Sequence, residues 1–272
     1  MGSDVPNLRS RMKINVIKVG GQVVEESESL HALLESFASL PGAKVLVHGG
    51  GRKATKLAAA LGIETLMVDG RRVTDADMLQ VVTMVYGGLV NKSIVAALQG
   101  LGVNAVGITG ADMNLILSVP RPPVKALDGS TVDYGFVGDV RAVSASALTT
   151  LLEAGYTPVV APLTHDGKGK LLNTNADTIA SSVASALAEN GHEVTLSFCF
   201  EKSGVLRNPD DEGSVIPLIT KKDFDAYIAD GTVSGGMMPK LSNAFKALEA
   251  GVAEVVITKS DSLGGGTKIK LK

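Results

Sequence analysis

The 272 residues carry 26 Lys and Arg against 28 Asp and Glu, a formal charge of −2, with 45% apolar and 20% charged residues. This is enough chain to bury a large core, as one large α/β domain or two lobes sharing a sheet. The near-neutral charge, with no basic run longer than a pair, excludes a dedicated nucleic-acid binder, and no stretch of about 18 apolar residues marks a membrane span.

A single cysteine, Cys199, rules out an intramolecular disulfide framework and fits a reducing, cytoplasmic compartment. It lies in the apolar run 196–200 and reads as packing. Four scattered histidines have no metal-ligand spacing, so no protein metal site is expected.

Residues 1–11 are polar and lack an apolar segment, and read as a tag remnant or disordered extension, with the folded chain starting at Met12. Residues 14–19 (INVIKV) predict a strand interrupted by Lys18 and ended by Gly20-Gly21. A lysine at the end of a buried strand is costly unless an anion meets it; the alternative is an edge position from which it snorkels. Residues 25–40 predict a helix, with Leu30, Leu33, Leu34 and Phe37 at helical spacing. Residues 44–52 (KVLVHGGGR) follow as strand, glycine turn and helix start, which aims backbone N–H groups and a positive helix end at an anion. The turn is neither a Walker loop nor a dinucleotide fingerprint, and alone it is equally a tight connection.

Thr74-Asp75-Ala76-Asp77 opens a long helix to about Leu98, with Met78, Val81, Val82 and Val85 on its apolar face. Arg72, just before it, is either a surface charge or a fork for a carboxylate. A strand at 104–108 leads into Thr109-Gly110-Ala111-Asp112. Residues 115–140, with Pro120, Pro122, Pro123 and the turn Asp128-Gly129, predict β-hairpins over a substrate site. A helix at 144–154 and a strand at 157–163 come next, then the turn His165-Asp166-Gly167. LLNTNAD (171–177) leads into an alanine- and serine-rich helix ending near Asn190. A strand at 194–200 precedes EKSGVL (201–206) and a solvated loop at 207–219. A helix starts at Thr220, TVSGGMMPK (232–240) opens another to Ala250, and strands at 254–258 and 267–271 close the chain. The alternation predicts an α/β fold, a three-layer αβα sandwich around a mainly parallel open sheet, with a weak boundary near Ala161.

Lys18, Arg72, Asn173, Asp177 and Lys240 all fall at strand-to-helix connections, which line the ligand crevice of open α/β sheets. Two lysines, two glycine turns and a carboxylate suit phosphoryl transfer, which needs alignment and charge neutralisation more than covalent help. Asn173 and Asp177 are equally open to a structural reading, as caps of the helix that follows.

From Met12 to Leu271 the motifs IKVGG (17–21), VHGGG (47–51), GRRVT (70–74), GITGAD (107–112), GFVGDV (135–140), NTNAD (173–177) and GGMMPK (235–240) resemble the amino acid kinase family, in its acetylglutamate kinase branch. GRRVT together with NTNAD separates that branch from aspartate, carbamate and uridylate kinases. The resemblance implies that Lys18 and Lys240 contact the transferring phosphoryl group, that Gly21 and Gly50 offer it N–H groups, and that Asp177 holds the two lysines. Gly50, Gly51, Arg72 and Asn173 are the implied acyl-glutamate ligands, Arg72 on the α-carboxylate. An N-terminal lobe (12–161) is expected to bind acyl-glutamate and dimerise. A C-terminal lobe (162–272) is expected to bind ATP, with contacts at Glu201, Ser203, Gly204, Thr232 and Ser234. On that side the chain departs from the family: CFEKSG stands where S-D-x-x-G or T-D-x-x-G is usual, and Glu201 is the nearest acid.

The implied reaction is ATP- and Mg²⁺-dependent phosphorylation of the γ-carboxylate of N-acetyl-L-glutamate, in arginine biosynthesis. A glutamate γ-carboxylate, with a pKa of about 4.3, is already an anion and needs no general base. N-succinyl-L-glutamate is the alternative acceptor, decided near 110–117 and 132–140. A non-catalytic nucleotide- or arginine-sensing protein on the same fold is the remaining alternative, and the two lysines with Asp177 argue against it. A cytoplasmic homodimer joined through the long helix is expected. Insensitivity to arginine is also expected, because arginine-inhibited relatives carry a long N-terminal helix.

Overall fold

A computed structural model describes residues 11–125, 129–233, 235, 237–260 and 263–272. The N-terminal extension at 1–10, Asp128 of the expected turn, Ser234 and Gly236 lie outside the described residues.

Eight strands form the main sheet: β1 (Lys13–Val19), β2 (Ala43–His48), β3 (Ala105–Ile108), β4 (Thr157–Val160), β5 (Glu193–Phe200), β6 (Leu218–Thr220), β7 (Glu254–Lys259) and β8 (Thr267–Lys270). Their order is β6-β8-β7-β5-β1-β2-β4-β3. All neighbours are parallel except β7 and β8. The central strands are buried on both faces, so they read as continuous apolar runs. Alternate residues still part to opposite sides. Val16, Val45 and Leu196 enter one core with Ile179, Val183 and Leu187 of a helix at Ala176–Glu189. Ile17, Leu46 and Cys199 enter the other, with Leu33, Leu34 and Phe37. Helices on both faces complete the expected three layers.

Those helices are α1 (Gly21–Glu25), α2 (Ser27–Ser39), α3 (Gly51–Ala60), α4 (Ala76–Gly100), α5 (Ala145–Glu153), α6 (Ala176–Glu189), α7 (Lys221–Ala229) and α8 (Met237–Glu249). The helix expected over 25–40 is α2, and a short helix not expected there, α1, precedes it, the two separated at Glu26, whose backbone is extended. Its backbone N–H closes α1 on Gln22 O, and its carboxylate accepts from Gln22 Nε2 and Ser29 Oγ, each at 3.0 Å, tying the two pieces together. Lys44 ends α2 by donating to the carbonyls of Phe37, Ala38 and Leu40 at 2.7–3.0 Å.

Asp75 caps α4 by accepting from Met78 N–H at 2.8 Å. The middle of α4, Thr83–Val90, is π-helical. By length and composition α4 could cross a membrane, which corrects the sequence reading. Its apolar face, from Met78 through Val85 and Ile94 to Leu98, is buried in the second core.

The strand expected over 157–163 stops at Val160, where Ala161 and Pro162 turn the chain. Leu163–His165 instead joins a second, four-stranded sheet with Leu171–Asn173, Ile116–Pro120 and Gly138–Val143. The expected hairpins over 115–140 are therefore one wide antiparallel pair in that sheet, plus a small ribbon of Val124–Lys125 with Thr131–Val132. The second sheet follows on from the carboxyl end of β4 and carries Asn173 at the end of a strand.

Candidate active site

Lys18 is the penultimate residue of β1, paired in register with Val47 on one side and Phe198 on the other. It is 7% exposed, so the edge-strand alternative does not apply. Its ammonium meets Asp177 Oδ1 at 2.6 Å, and Lys240 Nζ donates to Asp177 Oδ2 at 3.0 Å. Asp177 sits in the first turn of α6 and Lys240 in the first turn of α8, so three elements converge on one carboxylate. Burial pushes the Asp177 carboxyl up, but the Lys18 and Lys240 ammoniums outweigh it and hold its pKa at about 2. The cluster is thus two cations around one anion, with one positive charge left for a ligand.

Neither Asn173 nor Asp177 caps α6. Asn175 does, accepting from Thr178 N–H at 3.1 Å, which closes the structural alternative for both. Asn173 instead donates from Nδ2 to Thr74 Oγ1 at 3.0 Å and lines a cavity.

The two glycine turns lie side by side. Gly20 N–H donates to Cys199 O at 2.9 Å and Gly49 N–H to Val19 O at 3.2 Å. A Cβ on Gly50 would lie 2.9 Å from the Tyr86 ring, so only glycine fits there. Helices α1 and α3 start at Gly21 and Gly51, and their first N–H groups have no intrahelical acceptors.

These turns, with Arg71, Arg72, Tyr86, Asn173 and Asn175, line a cavity of about 220 Å³. Arg72 reaches across it, with Nη2 2.9 Å from both Gly51 O and Thr55 Oγ1 and Nη1 3.3 Å from Thr65 Oγ1. A guanidinium so braced is aimed before any anion arrives. Tyr86 was not anticipated. Burial raises its phenol pKa, and the neighbouring Arg72 opposes the rise. Its spacing from Met78 and Val82 marks it only as another core position of α4.

Of the residues implied for the nucleotide, Gly204 and Thr232 line a second cavity of about 140 Å³ with Phe200, Lys202 and Met237. Glu201 is exposed and Ser203 half-buried on the adjoining turn. Ser234 lies outside the described residues. Lys202 is held by Glu212 at 2.7 Å, an ion pair that ties the segment departing from the family pattern to the loop after it. Cys199 is buried, and burial pushes its thiol up to about 12, so it is a packing residue as expected. Among the described residues, no three His, Cys, Asp or Glu side chains converge on a metal position.

Residues 13–259 match the amino acid kinase family. The chain is 61% identical over 262 residues to an acetylglutamate kinase of Bacteroides thetaiotaomicron, covering 96% of this chain and 99% of that one. It is 60% identical to an acetylglutamate kinase of Phocaeicola vulgatus, over 95% of this chain and 98% of that one. A solved structure of a Streptococcus mutans UA159 protein superposes with a TM-score of 0.78 at 30% identity, covering 95% of this chain and 99% of the other. Matched to the family model over nearly its whole length and about 60% identical to these two enzymes, the chain belongs to the amino acid kinase family, and within it to the acetylglutamate kinases.

Proposed function

We propose that the protein transfers the γ-phosphoryl group of ATP to the γ-carboxylate of N-acetyl-L-glutamate, forming N-acetyl-L-glutamyl 5-phosphate. The observation that carries the reading is the Lys18–Asp177–Lys240 bridge beside two glycine turns and a braced arginine. The chemical difficulty is to bring a carboxylate up to a triphosphate, anion against anion. Lys18 and Lys240 offset that repulsion at the transferring group, and the N–H groups of Gly21 and Gly50 stabilise charge spread over its equatorial oxygens. Asp177 stays ionised between the lysines and orients both. Arg72 grips the α-carboxylate, and Asn173, Gly50 and Gly51 complete the acyl-glutamate site.

In this reading the lobe 12–161 holds the acceptor and the lobe 162–272 holds ATP, around Glu201, Ser203, Gly204, Thr232 and Ser234. A divalent ion such as Mg²⁺ would be carried chiefly by the nucleotide phosphates, whose charge it neutralises, because Asp177 is already engaged by two ammoniums. A homodimer accords with α4, which leaves Met84 and Leu89 about half exposed, Met84 lining an apolar groove with Leu79 and Phe136, and a cytoplasmic location accords with the biosynthetic reaction. Light scattering should give twice the 28.0 kDa chain mass; a monomer at working concentration would refute it.

One observation favours a second reading. Arg71 lines the same cavity as Arg72. Burial, then the nearby Arg121, lower its pKa, and Asp139 opposes them only in part, so the charged form gains from a further facing anion. A succinyl carboxylate would supply that anion where an acetyl methyl would not. ADP release with N-acetyl- and N-succinyl-L-glutamate side by side decides the acyl group. Higher kcat/KM on the acetyl compound is expected, the reverse order selects the second reading, and no turnover of either overturns both. Arg72→Ala should raise KM for the acyl-glutamate about 10- to 100-fold, the loss of a charge-assisted bidentate contact. KM for ATP should stay within about twofold. A larger effect on ATP would place the ligands on the wrong lobes.

A further inference from the structure

His48, the last residue of β2, is fully buried. Its Nδ1 lies 2.7 Å from Gly49 O, and its Nε2 lies 3.1 Å from Asn91 Nδ2. The same Asn91 amide donates to Val159 O at 2.9 Å. A carbonyl only accepts, so Nδ1 must carry the proton. Both amide hydrogens of Asn91 are then used, one on Val159 O and one on Nε2, which accepts. The chain of bonds defines a neutral imidazole with its proton on Nδ1. Burial, partly opposed by the Gly49 bond, pushes the ring pKa down to about 4 and accords with that state.

A run of three glycines has no side chain to fix its peptide planes, and glycine rotates into either orientation at little cost. The peptide between Gly49 and Gly50 is planar and trans, so its C=O and N–H point in opposite directions. Anchoring Gly49 O to His48 therefore turns Gly50 N–H the other way, toward the cavity that both glycines line. We propose that His48 and Asn91 are positioning residues for the transfer step, holding the Gly49–Gly50 peptide so that Gly50 N–H faces the transferring group. This rests on the role given to Gly50 under Proposed function.

The surrounding chain is shaped for the anchor. A Cβ on Gly107 of β3 would come 1.9 Å from Asn91 Oδ1, so glycine there makes room for the amide. The π-helical segment Thr83–Val90 ends directly before Asn91. Residues five apart point about 140° away from each other on an α-helix. The wider π turn brings Tyr86, which packs on Gly50, and Asn91, which holds His48, to the same glycine turn.

Two measurements test the inference. In wild-type protein labelled with ¹⁵N-histidine, the His48 ring should be neutral with the proton on Nδ1; a proton on Nε2, or a charged ring at neutral pH, overturns the anchor. In kinetics, an asparagine amide falls near the position of Nδ1 and a glutamine amide near that of Nε2. His48→Gln should lose about 100-fold in kcat, with both KM values within about threefold, the cost of a misplaced N–H donor at developing charge. His48→Asn should lose less than about tenfold, although both variants lose the same ring and melt at similar temperatures. Equal losses in kcat, or losses confined to KM, overturn the positioning role.

Should the His48 variants not fold, Asn91→Ala, which leaves the imidazole in place, should lower kcat about tenfold at constant KM; unchanged kcat overturns the proposal. Wild-type turnover of N-acetyl-L-glutamate, measured alongside, separates the two readings. No turnover with the Nδ1 tautomer means that the function is wrong, and turnover with the other tautomer means that the anchor is wrong.

Discussion

Lys18→Ala is expected to lower kcat by about 1000-fold, with a smaller change in either KM, because the ammonium acts where charge passes from one anion to another. The same change at Lys240 should cost a similar factor, since both ammoniums reach the one carboxylate. The two differ in surroundings. The Lys18 side chain is 9% exposed between β2 and β5, and that of Lys240 is 23% exposed at the start of a helix. Lys18→Ala therefore also opens space in the sheet, and its melting temperature should shift more. Lys18→Arg should rescue little, because a planar fork cannot replace a compact charge in that slot. Steady-state turnover together with thermal unfolding separates chemistry from folding. Near-normal kcat in both alanine variants would remove the bridge from the reaction.

Asp177→Asn is the second large effect. It keeps the volume of the side chain and leaves two ammoniums facing each other without their counter-ion, so the local charge rises from one to two. Turnover should fall about 100-fold as the lysines splay. Stability should fall as well, and in a pH-dependent way. The native carboxyl titrates at about 2, against an ordinary value of 3.8. Its stabilisation is present in full above the unfolded value and is lost as pH falls through the native one. The shift corresponds to about 2–3 kcal/mol at neutral pH. Urea unfolding of wild type and variant should show a gap that is constant from neutral to about pH 5 and narrows toward pH 2. A gap that does not change with pH would mean that the carboxylate contributes nothing through its charge.

What the sequence disclosed follows from what is local. Lys18 stood out because a charge inside a β-branched run demands a partner, and the partner is there. The identity of that partner was not local: Asp177 is 159 positions away, and only the family resemblance tied it to Lys240. Asn173, Asn175 and Asp177 are all capping types within five residues, so pattern could not say that the middle one caps α6. Glu26 is an ordinary helix former, so pattern does not mark the break there, where its carboxylate bonds to one side chain on each side. The second sheet was illegible because two of its strands are three residues long, and its wide antiparallel pair joins segments separated by some twenty residues. In α4 the residues 83–90 are apolar enough to fit any helical period, and so they concealed the π turn that brings Tyr86 to the cavity.

That π turn constrains the gene as well as the protein. Between Tyr86 and Asn91 only Val90 is a core side chain: Leu89 is 57% exposed, and a Cβ on Gly88 would meet nothing. Substitution at Gly88 and Leu89 should be tolerated, and the spacing is tied to the winding. At this length α-helical winding would turn Asn91 about 140° from Tyr86 and off His48, whereas removing one codon would leave the two four apart, on one face, and let the helix rewind with its downstream register nearly kept. Drift in this stretch should therefore alter letters, and a change in length should come only as the loss of one residue together with the π turn.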